Sequence, residues 1–139
     1  MTSLIRFGIS LDKDLLDSFD KKLSRAGYAS RSEAVRDLIR EDLVREEWAD
    51  ERAETAGAII LIYDHHQRRL LERITDIQHD HQKLIISTLH VHLDHHHCLE
   101  IIAVRGVGSD IKQLADSLKA LKGVKHGTLS LSTTGKGLH

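Results

Sequence analysis

The residues best suited to chemistry in this sequence are its histidines and its one cysteine. Nine of the 11 histidines fall between His65 and His97, and Cys98 follows directly. His90 and His92 stand two residues apart in a run that reads as a strand, Leu84 to Leu93, so both imidazoles leave the same face. Asp94 to His97 reads as a short hairpin loop, which carries Cys98 onto the antiparallel neighbour. Its sulfur then comes within ligand reach of both rings. Imidazole suits Zn, Cu and Ni, and a thiolate adds a soft, anionic donor. Three donors leave a coordination position open, and His79 and His81, at the end of the preceding helix, are the candidates to fill it. Tetrahedral closure by three His and one Cys would suit Zn(II), whereas a planar set would favour Ni(II) or Cu(II). Glu100, two residues after Cys98 and on the same face, is either an acceptor that orients a ligand imidazole or a solvated sheet residue.

Plainer readings stand beside these. His95, His96 and His97 read more simply as solvated loop residues. His90, His92 and Cys98 could be a polar sheet face and a core thiol, although two adjacent imidazoles next to the only cysteine are an odd choice for packing. That single cysteine excludes an internal disulfide.

The elements that would position these groups follow from periodicity. Leu4 to Leu11 alternates, with Ile5, Phe7, Ile9 and Leu11 on one face and Arg6, Gly8 and Ser10 on the other, which predicts a half-buried strand. Asp12 is placed to cap a helix carrying Leu15, Leu16, Phe19 and Leu23, and Gly27 to end it. Ser30 and Glu33 fit a capping box in which Glu33 reaches back to the Ser30 amide. The helix that follows turns Ala34, Val35, Leu38, Ile39 and Leu43 inward and runs on into the charged stretch 45–54. A unit of about 50 residues with one unpaired strand buries too little alone. Two copies that pair their strands and interlock their helices solve both problems, so a dimer is expected.

The domain boundary is set near residue 54, dividing the chain into 1–53 and 54–139. Beyond it the pattern reads strand (58–63), helix (66–78), strand (84–93), strand (98–105), helix (110–121), strand (124–131). This is the βαββαβ order of a ferredoxin-like domain. The tail from Ser132 to His139 is expected to be disordered.

The chain has 139 residues, 40% hydrophobic and 29% charged, with a formal net charge of −1. That composition is globular, and no apolar run approaches the ~20 residues of a spanning helix. With no signal-peptide pattern, a cytoplasmic location is expected and no membrane partner.

In the paired-strand dimer, Arg6, Gly8 and Ser10 appear twice on an outward ribbon face, and a two-stranded ribbon fits the DNA major groove. The start of the second helix, at Arg31 and Ser32, offers free amides to a phosphate. Acids outnumber bases in residues 1–53, so tight binding should need additional help. Pairing of Arg31 and Arg36 with helix acids remains an alternative.

The segments Arg6-Phe-Gly-Ile-Ser-Leu-Asp, Gly27-Tyr28, Arg31-Ser-Glu-Ala-Val-Arg-Asp and Leu89-His-Val-His-Leu-Asp-His-His-His-Cys-Leu-Glu resemble the nickel-responsive regulator family, NikR. The resemblance runs through Val124-Lys-His-Gly and so covers nearly the whole chain. It implies an α+β protein: an N-terminal ribbon-helix-helix DNA-binding domain joined to an ACT-type, ferredoxin-like domain that binds metal and tetramerises. It also implies a homotetramer, built as a dimer of dimers, bound to double-stranded operator DNA. By the same resemblance His90, His92 and Cys98 are three ligands of a square-planar Ni(II) site, His79 of the facing subunit is the fourth, and Glu100 supports a ligand. Glu33 and Asp37 correspond to the carboxylates of a second cation site, usually potassium, completed by carbonyls near Lys119, Leu121 and Val124. Arg6, Gly8 and Ser10 take base-reading positions, and Arg31, Ser32 and Arg68 phosphate-contacting ones. Gly8 departs from the family, where a hydroxyl residue is common, and His65, His66, His81 and the His95–His97 run add metal-binding capacity beyond its pattern.

The implied device is a repressor of nickel uptake, not an enzyme. Nickel orders the helix around His79 and the loop before Cys98, and so biases the DNA-binding dimers toward a conformation that spans two half-sites. Two other readings stay open: a zinc-dependent hydrolase with Glu100 as its base, and a regulatory module without metal control.

Overall fold

The computed structural model describes residues 3–50 and 52–138. They form two compact units, one reaching to Glu41 and one from Asp42 onward.

In the first unit, α1 (Lys13–Ala26) is followed by α2 (Arg31–Ala49), which runs on into the second. Gly27 ends α1 in the left-handed region, at φ 81° and ψ 18°. Its amide bonds to the Ser24 carbonyl at 3.3 Å and the Tyr28 amide to that of Leu23 at 3.1 Å, so two of the helix's last carbonyls are satisfied. Asp12 stands at the other end as expected, but its carboxylate makes no capping bond. At the start of α2 the Ser30 hydroxyl accepts the Glu33 amide at 3.2 Å, while Glu33 Oε2 takes the amide of Ala29 at 3.3 Å. The carboxylate thus reaches one residue further than expected, to an amide that lies ahead of the helix and has no carbonyl for it there.

Residues 3–11 are expected to pair with a second copy, which the single chain lacks. They pair with no strand in the single chain, and Leu4, Ile5, Phe7 and Ile9 are 67–94% exposed. A strand exists only through a neighbour that accepts its hydrogen bonds, and this unit offers none. Leu38, Ile39 and Leu43 of α2, expected inward, are likewise 42–47% exposed.

The second unit is a four-stranded antiparallel sheet with two helices. In chain order it holds β1 (Glu54–Tyr63), α3 (Arg68–Asp80), β2 (Ile85–His92), β3 (Cys98–Val107), α4 (Gly108–Lys119) and β4 (Val124–Leu131). The sheet order is β2-β3-β1-β4, the βαββαβ topology predicted from the sequence. β1 begins at Glu54, four residues earlier than expected, because Glu54 pairs with Val107 and its carboxylate takes the Arg105 guanidinium at 2.6 Å. α3 begins at Arg68 rather than His66, since residues 64–67 are used in a turn closed by the Gln67 amide on the Asp64 carbonyl.

Parity along the strands sorts the side chains. Ile59, Leu61 and Tyr63 of β1 and Cys98, Ile102 and Val104 of β3 point to one face and pack with Leu70 and Ile74 of α3 and Ile111, Leu114, Ala115 and Leu118 of α4. The opposite face carries Leu89, Val91 and Leu93, which remain 57%, 37% and 53% exposed. β1 and β4 approach so closely at Gly57 that a Cβ there would meet the Ser130 carbonyl oxygen and Leu131 Cα. One irregularity interrupts β2. Ile85 lies opposite Val104 and Ser87 opposite Ala103, leaving Ile86 as an extra residue, a bulge.

The start of the tail is tied to the sheet. Ser132 donates its amide to the Ala56 carbonyl at 2.6 Å, and its own carbonyl accepts Trp48 Nε1 at 2.8 Å and Thr55 Oγ1 at 2.6 Å. His139 lies outside the described residues.

Candidate metal centre

Register places the sequence-predicted donors. In the β2–β3 hairpin His92 lies opposite Cys98 and His90 opposite Glu100, so all four share the helix-covered face. The connecting turn is fixed by Asp94, whose Oδ1 accepts the His96 amide at 2.8 Å and whose carboxylate meets His97 Nδ1 at 2.8 Å. Leu93 and His97 close it through a 2.9 Å backbone bond.

Within this frame His90 Nδ1 lies 3.9 Å from Cys98 Sγ, and its Nε2 lies 2.8 Å from Glu100 Oε1. Two donors bonded to one ion at about 2.0–2.3 Å stand roughly 3–4.3 Å apart, so the imidazole–thiol spacing fits a shared ion. The far ring nitrogen sits against a carboxylate, the partner that ligating histidines commonly use to fix tautomer and orientation. The donor set therefore suits a thiolate-containing transition-metal site.

Tyr63 was not singled out from the sequence. It lies opposite Cys98 on β1, and its hydroxyl is 3.5 Å from both His90 Nδ1 and Glu100 Oε2. Only the register reveals it. Glu100 is 1% exposed, and burial pushes its carboxyl above the usual carboxylate range while the neighbouring His90 pulls it back. Burial also raises the Tyr63 phenol, with the charge of Glu100 adding to it.

The other expected ligands do not converge here. The His92 ring packs edge-on against His65, centroids 4.7 Å apart. His79 is exposed in the last turn of α3 and its Nδ1 meets Gln82 Nε2 at 2.9 Å, while His81 Nδ1 meets the Ile77 carbonyl at 2.8 Å. Among the described residues, the only group to bring three metal-binding atoms within 4.8 Å of one another is Asp64, His65 and His66. No three of His79, His90, His92 and Cys98 do so in the single chain.

The expected DNA-facing residues Arg6, Gly8 and Ser10 are exposed on the unpaired segment 3–11. Arg31 makes two bonds to Asp20, Nε to Oδ1 at 2.9 Å and Nη2 to Oδ2 at 2.8 Å, which holds the Asp20 carboxyl below its usual range. Ser32 is exposed in the first turn of α2, and Arg68 is exposed as the first residue of α3. Glu33 caps α2 as described. Asp37 accepts the Tyr28 hydroxyl at 2.7 Å and pairs with Arg40 at 3.2 Å. Both carboxylates belong to the first unit, whereas Lys119, Leu121 and Val124 belong to the second. The Leu121 carbonyl already accepts the Val124 amide at 3.1 Å.

Residues 56–132 match the family described as the NikR C-terminal nickel-binding domain, and residues 5–46 match the ribbon-helix-helix proteins of the CopG family. A protein of Chlorobium limicola named as a nickel-responsive regulator is 59% identical over 97% of this chain and 100% of its own length. Similarly named proteins of Nitratidesulfovibrio vulgaris and Geotalea uraniireducens are 54% and 53% identical, over 99% and 100% of both chains respectively.

Proposed function

The chain belongs to the nickel-responsive regulator family, and from that premise we propose that it is a nickel-dependent repressor of nickel uptake genes. Its work is binding and release, not turnover. The observation that carries the reading is the His90 ring, set between the Cys98 thiol and the buried Glu100 carboxylate.

In this reading His90, His92 and Cys98 bind Ni(II) together with His79 of a facing subunit. The bound ion supplies a fixed cross-link between chains. The chain's own residues do the rest. Glu100, with the Tyr63 hydroxyl beside its other oxygen, holds the far nitrogen of the His90 ring, the Asp94 turn holds the hairpin in register, and Cys98 contributes the anionic donor. That the four ligands do not meet within one chain agrees with a site shared between two. The uncovered apolar face of the β2–β3 hairpin, bearing Leu89, Val91 and Leu93, supports self-association, and we take the assembly to be a homotetramer built as a dimer of dimers.

Residues 1–53 act as the ribbon-helix-helix part and 54–139 as the metal-binding part. Two copies of segment 3–11 would pair into a ribbon, with Arg6, Gly8 and Ser10 toward the bases of duplex operator DNA. Arg31, Ser32 and Arg68 would meet phosphates. Glu33 and Asp37 would be the carboxylates of a second cation site of the hard-oxygen type that potassium fills. No described helix is long and apolar enough to cross a membrane, and a regulator of DNA works in the cytoplasm.

The test uses duplexes selected from a random pool by the full chain with Ni(II). Fluorescence anisotropy should show binding that depends on Ni(II) in the wild type and loses that dependence in His90→Ala. Metal-dependent affinity that survives the substitution would sink the mechanism.

A further inference from the structure

The last row of the sheet crosses all four strands: His92 lies opposite Cys98, Cys98 opposite Tyr63, and Tyr63 opposite Val124. At that end β4 is irregular. Ile62 pairs with His126 and Tyr63 with Val124, which leaves Lys125 as an extra residue. A bulge of this kind re-aims a side chain. Here the Lys125 ammonium stands 2.8 Å from Nε2 of His97, the residue that precedes Cys98. Because β1 lies between them, β4 and β3 are separated by two strand spacings, roughly 10 Å. One lysine stem and one imidazole together fill that gap.

The contact fixes the roles of both ring nitrogens. An ammonium only donates, so Nε2 accepts, and the ring proton sits on Nδ1, 2.8 Å from both Asp94 oxygens. The His96 amide and the His97 ring hold the Asp94 carboxyl below its usual range, which makes it the anionic end of the chain. Meanwhile the His97 carbonyl closes the hairpin by accepting the Leu93 amide at 2.9 Å. His97 is thus tied at its ring to β4 and at its backbone to the end of β2. With both nitrogens engaged, it offers no lone pair to a metal, so its part is mechanical.

We propose that Lys125 is a positioning residue for the metal site: acting through His97, it pins the turn that delivers Cys98 and so sets the thiol in place ahead of the metal. Its effect on metal rests on the nickel-site reading given above. The strut itself belongs to the metal-free chain.

Cys98 is the only cysteine and is 1% exposed, so a thiol reagent reaches it only when the hairpin opens. In the metal-free full-length chain, Lys125→Met keeps the stem and drops the ammonium. It should raise the rate at which Cys98 reacts with an aromatic disulfide roughly 3–10-fold. The melting temperature should change little, since the contact is exposed. Lys125→Arg should stay near the wild-type rate. His97→Ala should react at least as fast as Lys125→Met, and the double variant no faster than His97→Ala, because a residue that acts through another adds nothing once that other is gone. Ni(II) affinity, measured by competition with a chelator, should fall roughly tenfold in Lys125→Met and recover in Lys125→Arg. An unchanged thiol rate in Lys125→Met, effects that add in the double variant, or nickel affinity that ignores a faster thiol would each overturn the proposal. Failure of the nickel-site reading would appear separately, as a wild type without thiolate-to-nickel charge transfer whose variants keep their order of thiol rates.

Discussion

A carboxylate as deeply buried as Glu100 persists only with partners, and here the partners are an imidazole and a phenol. Glu100→Gln keeps the shape but exchanges an anionic acceptor for an amide that no longer fixes the His90 tautomer. Nickel affinity measured by competition with a chelator should fall roughly 10–100-fold, with the fold retained; unchanged affinity would mean the carboxylate plays no part in orienting the ring. Arg31 poses a different question, because its guanidinium is already held by Asp20. Asp20→Asn should free it, raising DNA affinity and steepening its salt dependence. The same pair sets a pH response. The Asp20 carboxyl lies below its usual value, so the stability it adds is present above the ordinary carboxylate range. That stability is lost as pH falls through the lowered value. Acid unfolding followed by circular dichroism should therefore be less steep in Asp20→Asn.

Among the elements, β2 and β3 were legible as alternating runs, and the His-x-His spacing by itself places both rings on one face. What the spacing could not supply was register. The opposition of His90 with Glu100 and of Tyr63 with Cys98 depends on how three strands align, and no local pattern encodes that. The first four residues of β1 were missed for a related reason. Glu54 belongs there through its cross-strand bond to Arg105, while its own polarity reads as linker. Capping signals gave the αL end of α1 at Gly27, since only that conformation satisfies the last carbonyls. Gly27→Ala, at φ 81°, should lower stability by about 1–2 kcal/mol in chemical denaturation. Gly57→Ala should do more harm, because the new methyl meets β4 backbone that cannot move without breaking the ladder. A Gly57→Ala melting point equal to wild type would show that β4 yields there.

At the scale of the molecule, the two parts were legible to different degrees. The βαββαβ order emerged whole, since each of its elements finds its neighbour within one chain. The segment 3–11 pairs with nothing in the single chain, for its expected neighbour is another copy. Self-association is also where the exposed side of β2 matters. Leu89→Glu/Val91→Glu should reduce the particle mass measured by light scattering from four chains to fewer, while the melting of the isolated fold changes little. A four-chain particle in that variant would remove β2 from the interface. The bulge at Ile86 determines which side that is. Up to Ile85 the odd residues of β2 face the helices; past Ile86 the even ones do, bringing His90 and His92 inward and sending Leu89 and Val91 out. Pairing Ile86 regularly, with Ile85 still opposite Val104, would exchange the two sets, burying leucine where metal is expected and turning imidazole outward. Pairing, more than spelling, therefore protects this hairpin. Losing the bulged residue itself would leave the sensor's inside and outside in place, whereas a descendant that paired it regularly would exchange them.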